Sequence, residues 1–397
     1  MTPTRAALVL PAAVLVLTGC GAAATTTAHS SLHSLARTDS APHTVAPSAS
    51  PVPTAPPQTP PAPPASQTYA VVTVPISGTT EWLEIVGAHG TVVAKTEIDP
   101  TLAWLTAAGV GGAYWTQGGA EHQLALSGAV RTLGAVPADA NAVLIAPDGQ
   151  SYAYATSDPG ADETSVNKIV VVAPGAAPRV IADRISDPNH PIADAPADGW
   201  DYYLISWTAP GIAFARVPQG GCGCGSFDMQ MQSADSAVID PASEAVTTLT
   251  SDATCPLSAV SSSMETVCFA GTSATDAIRI ASHGTVTHDF TLSGSTVAGD
   301  AVFAPGGAQL AYVTIPVAED TCGATVTPTL RILNLGTGAA SARDTGDFSP
   351  MAWPAGGPIF GDLTSGSKTS VATVDPVTFA TTALTPATDG LQLVGIM

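Results

Sequence analysis

Residues Asn141 to Thr156, Asn-Ala-Val-Leu-Ile-Ala-Pro-Asp-Gly-Gln-Ser-Tyr-Ala-Tyr-Ala-Thr, recur in altered form at Asp300 to Thr314, Asp-Ala-Val-Phe-Ala-Pro-Gly-Gly-Ala-Gln-Leu-Ala-Tyr-Val-Thr. Each copy reads as two apolar strands joined by a tight turn. In the first, Pro147 pre-sets φ, Asp148 can hydrogen-bond back to the backbone, and Gly149 tolerates positive φ. A hairpin duplicated within one chain points to a repeat architecture, because each copy must bury its apolar face against the next.

Weaker copies follow the same plan at Leu102 to Thr116, Tyr203 to Arg216, Leu257 to Gly271 and Met351 to Gly361. Behind the hairpins come pairs of weaker strands, such as Lys168 to Ala173 with Arg179 to Ala182, and Ala277 to Ala281 with Thr285 to Leu292. Four strands per repeat at this period predict an all-β fold, a β-propeller of four-stranded blades. A β-sandwich would also give many short strands, but it would not repeat one hairpin. The hairpins define six repeats. Tyr69 to Ile98 adds three strand-like runs, and Leu391 to Met397 offers the missing innermost strand. Pairing the two ends closes the ring and removes an exposed edge. The expectation is seven blades, with six as the fallback if Tyr69 to Ile98 is only an extension.

Ala146-Pro-Asp-Gly-Gln-Ser-Tyr-Ala-Tyr154 and Ala304-Pro-Gly-Gly-Ala-Gln-Leu-Ala-Tyr312 resemble the Ser-Pro-Asp-Gly-centred repeat of TolB-like propellers, relatives of the WD-repeat blade. Ala146 and Ala304 stand where that family usually has Ser, and Gly306 replaces its Asp. The resemblance implies the propeller fold and no particular chemistry, since such propellers serve as scaffolds, sensors and accessory domains.

The N-terminus reads as an address. Arg5 precedes an apolar run, Ala6 to Leu17, too short to span a bilayer as a mature helix, and Leu17-Thr-Gly-Cys20 follows. The small residues before Cys20 resemble the lipobox of bacterial lipoproteins. That implies a signal peptide over 1–19 and a lipidated Cys20 on the outer face of the cytoplasmic membrane, with the membrane engaged through the lipid alone. The plainer alternative is an ordinary cleaved signal with a chance cysteine. Residues 20–67 are rich in Pro, Ala, Thr and Ser, culminating in Pro51 to Pro64, and lack the large apolar residues that offset ordering entropy. This segment reads as a disordered tether, carrying His29, His33 and His43 as solvated residues. Residues 68–397 form the propeller domain.

Lys and Arg total 12 against 32 Asp and Glu, for a formal net charge of -20. Such a surface repels phosphate backbones and excludes nucleic acid as a partner. The chain contains no Gly-x-Ser-x-Gly elbow, phosphate-binding Gly-x-x-x-x-Gly-Lys or His-Glu-x-x-His. His89, His122, His190, His283 and His288 fall mostly beside expected turns and read as surface residues.

In an oxidising compartment Cys222, Cys224, Cys255, Cys268 and Cys322 are disulfide candidates. In a propeller the connector between blades opens on the same face as the loop between the second and third strands, so all five gather toward one face. Cys255 and Cys268 flank one hairpin at the same end and form the first expected pair. A second pairing would join Cys322 to Cys222 or Cys224, leaving one thiol over. Cys222-Gly-Cys224 also invites a zinc or copper reading, but a closed zinc site wants four ligands and no second close pair is evident.

The same face is expected to carry Asp158, Asp162 and Glu163 in one loop and Asp187, Asp194, Asp198 and Asp201, with Asn189, in the adjacent connector. Alternating oxygen ligands suit calcium, the one cofactor with any support, yet the spacing matches no EF-hand-like loop and a solvated acidic loop is the plainer reading. Trp200 and Tyr202 are candidates for a ligand platform at the loop mouth, and Trp207 for blade core. The function expected is binding or scaffolding of a protein or glycan in the cell envelope, without chemistry. The alternative is a secreted hydrolase or lyase with carboxylates at the channel. Oligomeric state has no signature in the sequence.

Overall fold

The computed structural model describes residues 67–77, 80–99, 106–159, 165–186, 200–218, 235–250, 255, 257–271, 274–292, 296–317 and 328–397. Within them the chain forms seven antiparallel sheets, six of four strands and one of five, arranged as the blades of a β-propeller.

Blade 1 contains β1 (Ala70–Ser77), β2 (Thr80–Val86) and β3 (Val92–Ile98). Blade 2 follows with β4 (Thr106–Gly109), β5 (Gly112–Gln117), β6 (Ala120–Ala125) and β7 (Val130–Ala135). Blade 3 holds β8 (Ala140–Ile145), β9 (Tyr152–Pro159), β10 (Ser165–Val172) and β11 (Arg179–Ser186). Blade 4 comprises β12 (Trp200–Thr208), β13 (Gly211–Pro218), β14 (Asp235–Ile239) and β15 (Val246–Thr250). In blade 5 are β16 (Leu257–Val260), β17 (Glu265–Ala270), β18 (Ala277–Ser282) and β19 (Thr285–Thr291). Blade 6 is built from β20 (Thr296–Phe303), β21 (Gln309–Pro316), β22 (Thr329–Asn334) and β23 (Ala340–Arg343). Blade 7 has β24 (Asp347–Ala352), β25 (Ile359–Ser365), β26 (Lys368–Val374) and β27 (Thr381–Ala383), with the short β28 (Thr388–Asp389) also on β26. The last strand, β29 (Gln392–Ile396), pairs with β1 and completes blade 1 from the inside, so seven blades, not six, make the ring.

The innermost strands contact one another in a closed cycle: β29 with β4, then β8, β12, β16, β20, β24 and back to β29. Each seam between blades has its own apolar cluster, and second strands such as β5, β17 and β21, buried almost throughout, read as near-continuous apolar runs rather than alternations. Tyr202, Leu204, Ile212 and Phe214 of blade 4 pack on Ala153, Ala155 and Ile169 of blade 3. Phe269 of blade 5 meets Tyr312 of blade 6. Phe348 and Ile359 of blade 7 pack on Val313 and Ile332 of blade 6. The closing seam joins Phe360 and Val371 of blade 7 to Val72 and Leu393 of blade 1.

The two faces of the ring differ. Turns between first and second strands, and between third and fourth, open on one face, here termed the turn face, and backbone hydrogen bonds close them tightly. Gly149 N donates to Ala146 O and Ala146 N to Ser151 O, and the second copy repeats this with Gly307 on Ala304 and Ala304 on Gln309. Asp148 caps the first turn by accepting from Gln150 N and Ser151 N, each at 2.8 Å, while Gly149 sits at φ +65°. The opposite face carries the other strand ends, among them Ser186 of β11, Trp200 of β12, Pro218 of β13 and Asp235 of β14.

Candidate functional site

The inner strands wall the central channel, and six of the seven carry a β-bulge. The extra residues are Asn141 in β8, Ile205 in β12, Ser258 in β16, Asp300 with Ala301 in β20, Met351 in β24 and Val394 in β29. A bulge sharpens the local twist and re-aims a side chain, which suits strands crowded around an axis. Asp300 takes a left-handed conformation, φ +48°, which Asp tolerates better than most non-glycine residues.

The bulged and neighbouring polar groups staple adjacent blades. Ser258 Oγ accepts from Ala301 N at 3.4 Å across blades 5 and 6. Ser349 Oγ donates to Asp300 Oδ2 at 2.7 Å across blades 6 and 7. Leu393 N donates to Asp362 Oδ1 at 3.0 Å across the closing seam. Burial raises the Asp347 carboxyl above its ordinary range, and the charge of Asp300 raises it further. Burial pushes Asp362 up to about 6 against the opposing effect of the Leu393 N–H. Asp300 and Asp347 thus lie on neighbouring inner strands, with the charge of Asp300 felt at Asp347.

On the expected ligand face, Tyr202 is corrected. It is 5% exposed and meets Phe214 edge-on at 5.2 Å, so it belongs to the seam between blades 3 and 4 and is no ligand platform. The next residue, Tyr203, is 55% exposed on the same strand, because alternate residues of β12 point to opposite sides. Asp158 is corrected as well. It lies in strand β9, opposite Val166, rather than in a loop, because the β9–β10 ladder runs on to Pro159. Trp200 is the first residue of β12 and Asp201 is partly buried beside it. Asp162, Glu163, Asp187, Asp194, Asp198 and the cysteines Cys20, Cys222, Cys224 and Cys322 lie outside the described residues. Among the described residues no group of three His, Cys, Asp or Glu side chains could hold a metal ion.

Cys255 and Cys268 are joined by a disulfide, with Cα atoms 5.2 Å apart, tying the connector into blade 5 to its second strand. Trp207 is partly buried against the blade 3–4 cluster. Of the histidines, His122 stacks on Trp115 and His288 on Phe290.

A buried acid lies away from the channel. Glu121 in β6 is fully buried; Thr116 Oγ1 donates to its Oε2 at 2.6 Å, and its Oε1 has no partner among the described residues. Burial pushes its carboxyl up to about 8, so it holds its proton at neutral pH.

No protein-family model and no curated protein matches the chain. Solved structures do. Pyrococcus horikoshii acylaminoacyl peptidase is similar at TM-score 0.51 and 9% identity, over 80% of this chain and 50% of that one. TolB from Acinetobacter baumannii is similar at TM-score 0.44 and 11% identity, over 82% and 65%. A putative TolB from Agrobacterium tumefaciens is similar at TM-score 0.36 and 14% identity, over 83% and 92%. The chain therefore spans half of the peptidase and 65% of the first TolB. At such identities the likeness is one of fold alone. The propeller fold is the one the TolB-like resemblance implied, and its seven blades are the number the hairpins and the paired chain ends predicted.

Proposed function

We propose that this protein is an extracytoplasmic binding module, held to the outer face of the cytoplasmic membrane by lipid on Cys20, which engages a protein or glycan of the cell envelope through its loop-rich face. The observation that carries the reading is the inequality of the two faces. The turn face is closed by short, internally bonded turns. The strand ends on the other face, Ser186 and Trp200 between blades 3 and 4 and Pro218 and Asp235 within blade 4, are separated by 13 and 16 residues of sequence. Loops on a rigid scaffold are where recognition surfaces are usually built. The exposed Tyr203 on β12 adds an aromatic anchor beside them.

Capture from envelope extracts with the full chain as bait tests this. Retention of one partner, lost when 187–199 is replaced by a short Gly-Ser linker, supports it. Turnover of wall polymers by the protein alone would overturn it. The anchor has its own test: Cys20→Ser should release the protein from membranes.

A second reading, a hydrolase or lyase acting at the channel, is favoured by one observation, two carboxylates, Asp300 and Asp347, on the adjacent inner strands β20 and β24. Loss of a measured turnover in both Asp300→Asn and Asp347→Asn would establish it.

A further inference from the structure

We propose that a groove between blades 6 and 7, on the turn face, is a binding site for a neutral saccharide. The groove encloses ≈ 700 Å³, within the ~300–1,000 Å³ span of small-ligand sites. Its walls are the turns Ala304–Gln309 and Trp353–Pro358 and the third and fourth strands of blade 7, with Trp353, Gln309, Asp375 and Thr382 as the residues that define its chemistry.

Trp353 is partly buried against the blade 6–7 core cluster while it lines the groove. One part of the ring is therefore held by packing and the rest is available as a platform. Among the described residues, the indole N–H of Trp353, the side-chain amide of Gln309 and the hydroxyl of Thr382 make no hydrogen bond. Asp375 commits one oxygen to its own turn: Oδ1 accepts from Val377 N at 2.9 Å and Thr378 N at 2.7 Å, and Oδ2 takes neither bond.

This combination selects a ligand class. A pyranose presents C–H faces that pack on an aromatic ring and rows of hydroxyls that pair with planar amide and carboxylate groups. Among the described residues no Lys, Arg or His lines the groove and one carboxylate does, so phosphorylated, sulfated and uronic-acid ligands are disfavoured. A purely apolar ligand would strand the amide, hydroxyl and carboxylate against it. The site lies on the face opposite the long connections, so it stands or falls independently of the partner surface proposed above.

Titration calorimetry of the full chain with chitotetraose, cellotetraose and maltotetraose, and with glucose 6-phosphate as a charged control, tests the site. Saturable one-site binding of at least one neutral tetrasaccharide is expected. Trp353→Ala should weaken it at least about tenfold, the loss of a stacking platform, and Gln309→Ala should weaken it less. Should Trp353→Ala fail to fold, Trp353→Phe, which keeps a ring, and Gln309→Ala carry the test. No binding of any neutral tetrasaccharide would overturn the proposal. So would binding that both folded variants leave unchanged, binding stronger for the phosphosugar, or occupation of the groove by a peptide spanning Pro51 to Pro64.

Discussion

Leu393, on the innermost strand of blade 1, donates its backbone N–H to the carboxylate of Asp362, on the second strand of blade 7, at 3.0 Å. The bond crosses the seam where the two ends of the propeller meet. Asp362→Ala leaves that N–H unsatisfied in a buried setting and should cost about 1–3 kcal/mol, read as a lower urea midpoint. Asp362→Asn separates charge from contact. Since burial raises the folded-state value from 3.8 to about 6, the wild-type carboxyl contributes its full stability below pH 4 and loses it as pH rises to 6. The difference in midpoint between Asp362→Asn and wild type should therefore shift in favour of the variant from pH 4 to pH 6 and stay flat above.

Glu121 should give the larger pH effect in a higher window. Its folded value is about 8 against an ordinary 4.5. Its contribution is complete below pH 4.5 and is lost as pH climbs to 8, where a buried charge faces an unpartnered Oε1. Glu121→Gln keeps the acceptor for Thr116 and removes the titration. We expect it to be more stable than wild type at pH 8.5 by roughly 1–4 kcal/mol, and no more stable at pH 4. Thermal melts at both pH values check this.

The Cys255–Cys268 bridge closes a short loop, with a sequence separation of 13. In the chain-entropy account a loop of this size is worth about 3 kcal/mol. A Cys255→Ala, Cys268→Ala double variant should melt at a lower temperature, by about that free energy, and reductant should lower the melting temperature of the wild type by more than that of the variant. Equal melting of both under reducing and oxidising conditions would contradict the assignment.

Gly149 holds the most demanding position of the repeated turn. Its φ of +65° disfavours a side chain, and an added Cβ would lie 2.2 Å from Val110 O in blade 2. The Tyr114 hydroxyl sits between the carbonyls of Val110 and Gly149 and accepts from Gln123 at 2.8 Å, so the neighbouring turn is not free to retreat. Gly149→Ala should destabilise by more than about 1 kcal/mol, and Gly306→Ala, at φ +83° with open space around it, should cost less. Denaturant midpoints of the two variants rank them.

The repeat was legible because its information is local. Pro147-Asp148-Gly149 writes a turn in three residues, and Leu391 to Met397 reads as a strand whatever it pairs with. Residues whose role depends on a neighbouring blade were not legible. Asp300 looked like the first residue of a hairpin, yet its bulge and its bond to Ser349 are set by how blade 7 packs against blade 6. In Trp200-Asp-Tyr-Tyr-Leu the sequence does not say which tyrosine faces the core, since a shift of one residue exchanges them; packing on Phe214 decides for Tyr202. Asn141 offered a signal that could have been used: like Asp300, it places a polar residue before an apolar run, and both prove to be bulged.

The chain enters the propeller at Tyr69, whose N–H and C=O both pair with Met397, and continues into β1. β1 is bonded on both sides, to β2 and to β29. Any tension reaching the domain from its N-terminal side is thus delivered to a strand gripped by two ladders, and a pull along that strand loads both sets of hydrogen bonds in shear rather than unzipping them one at a time. The seam that closes the circle is also the point at which mechanical load enters it.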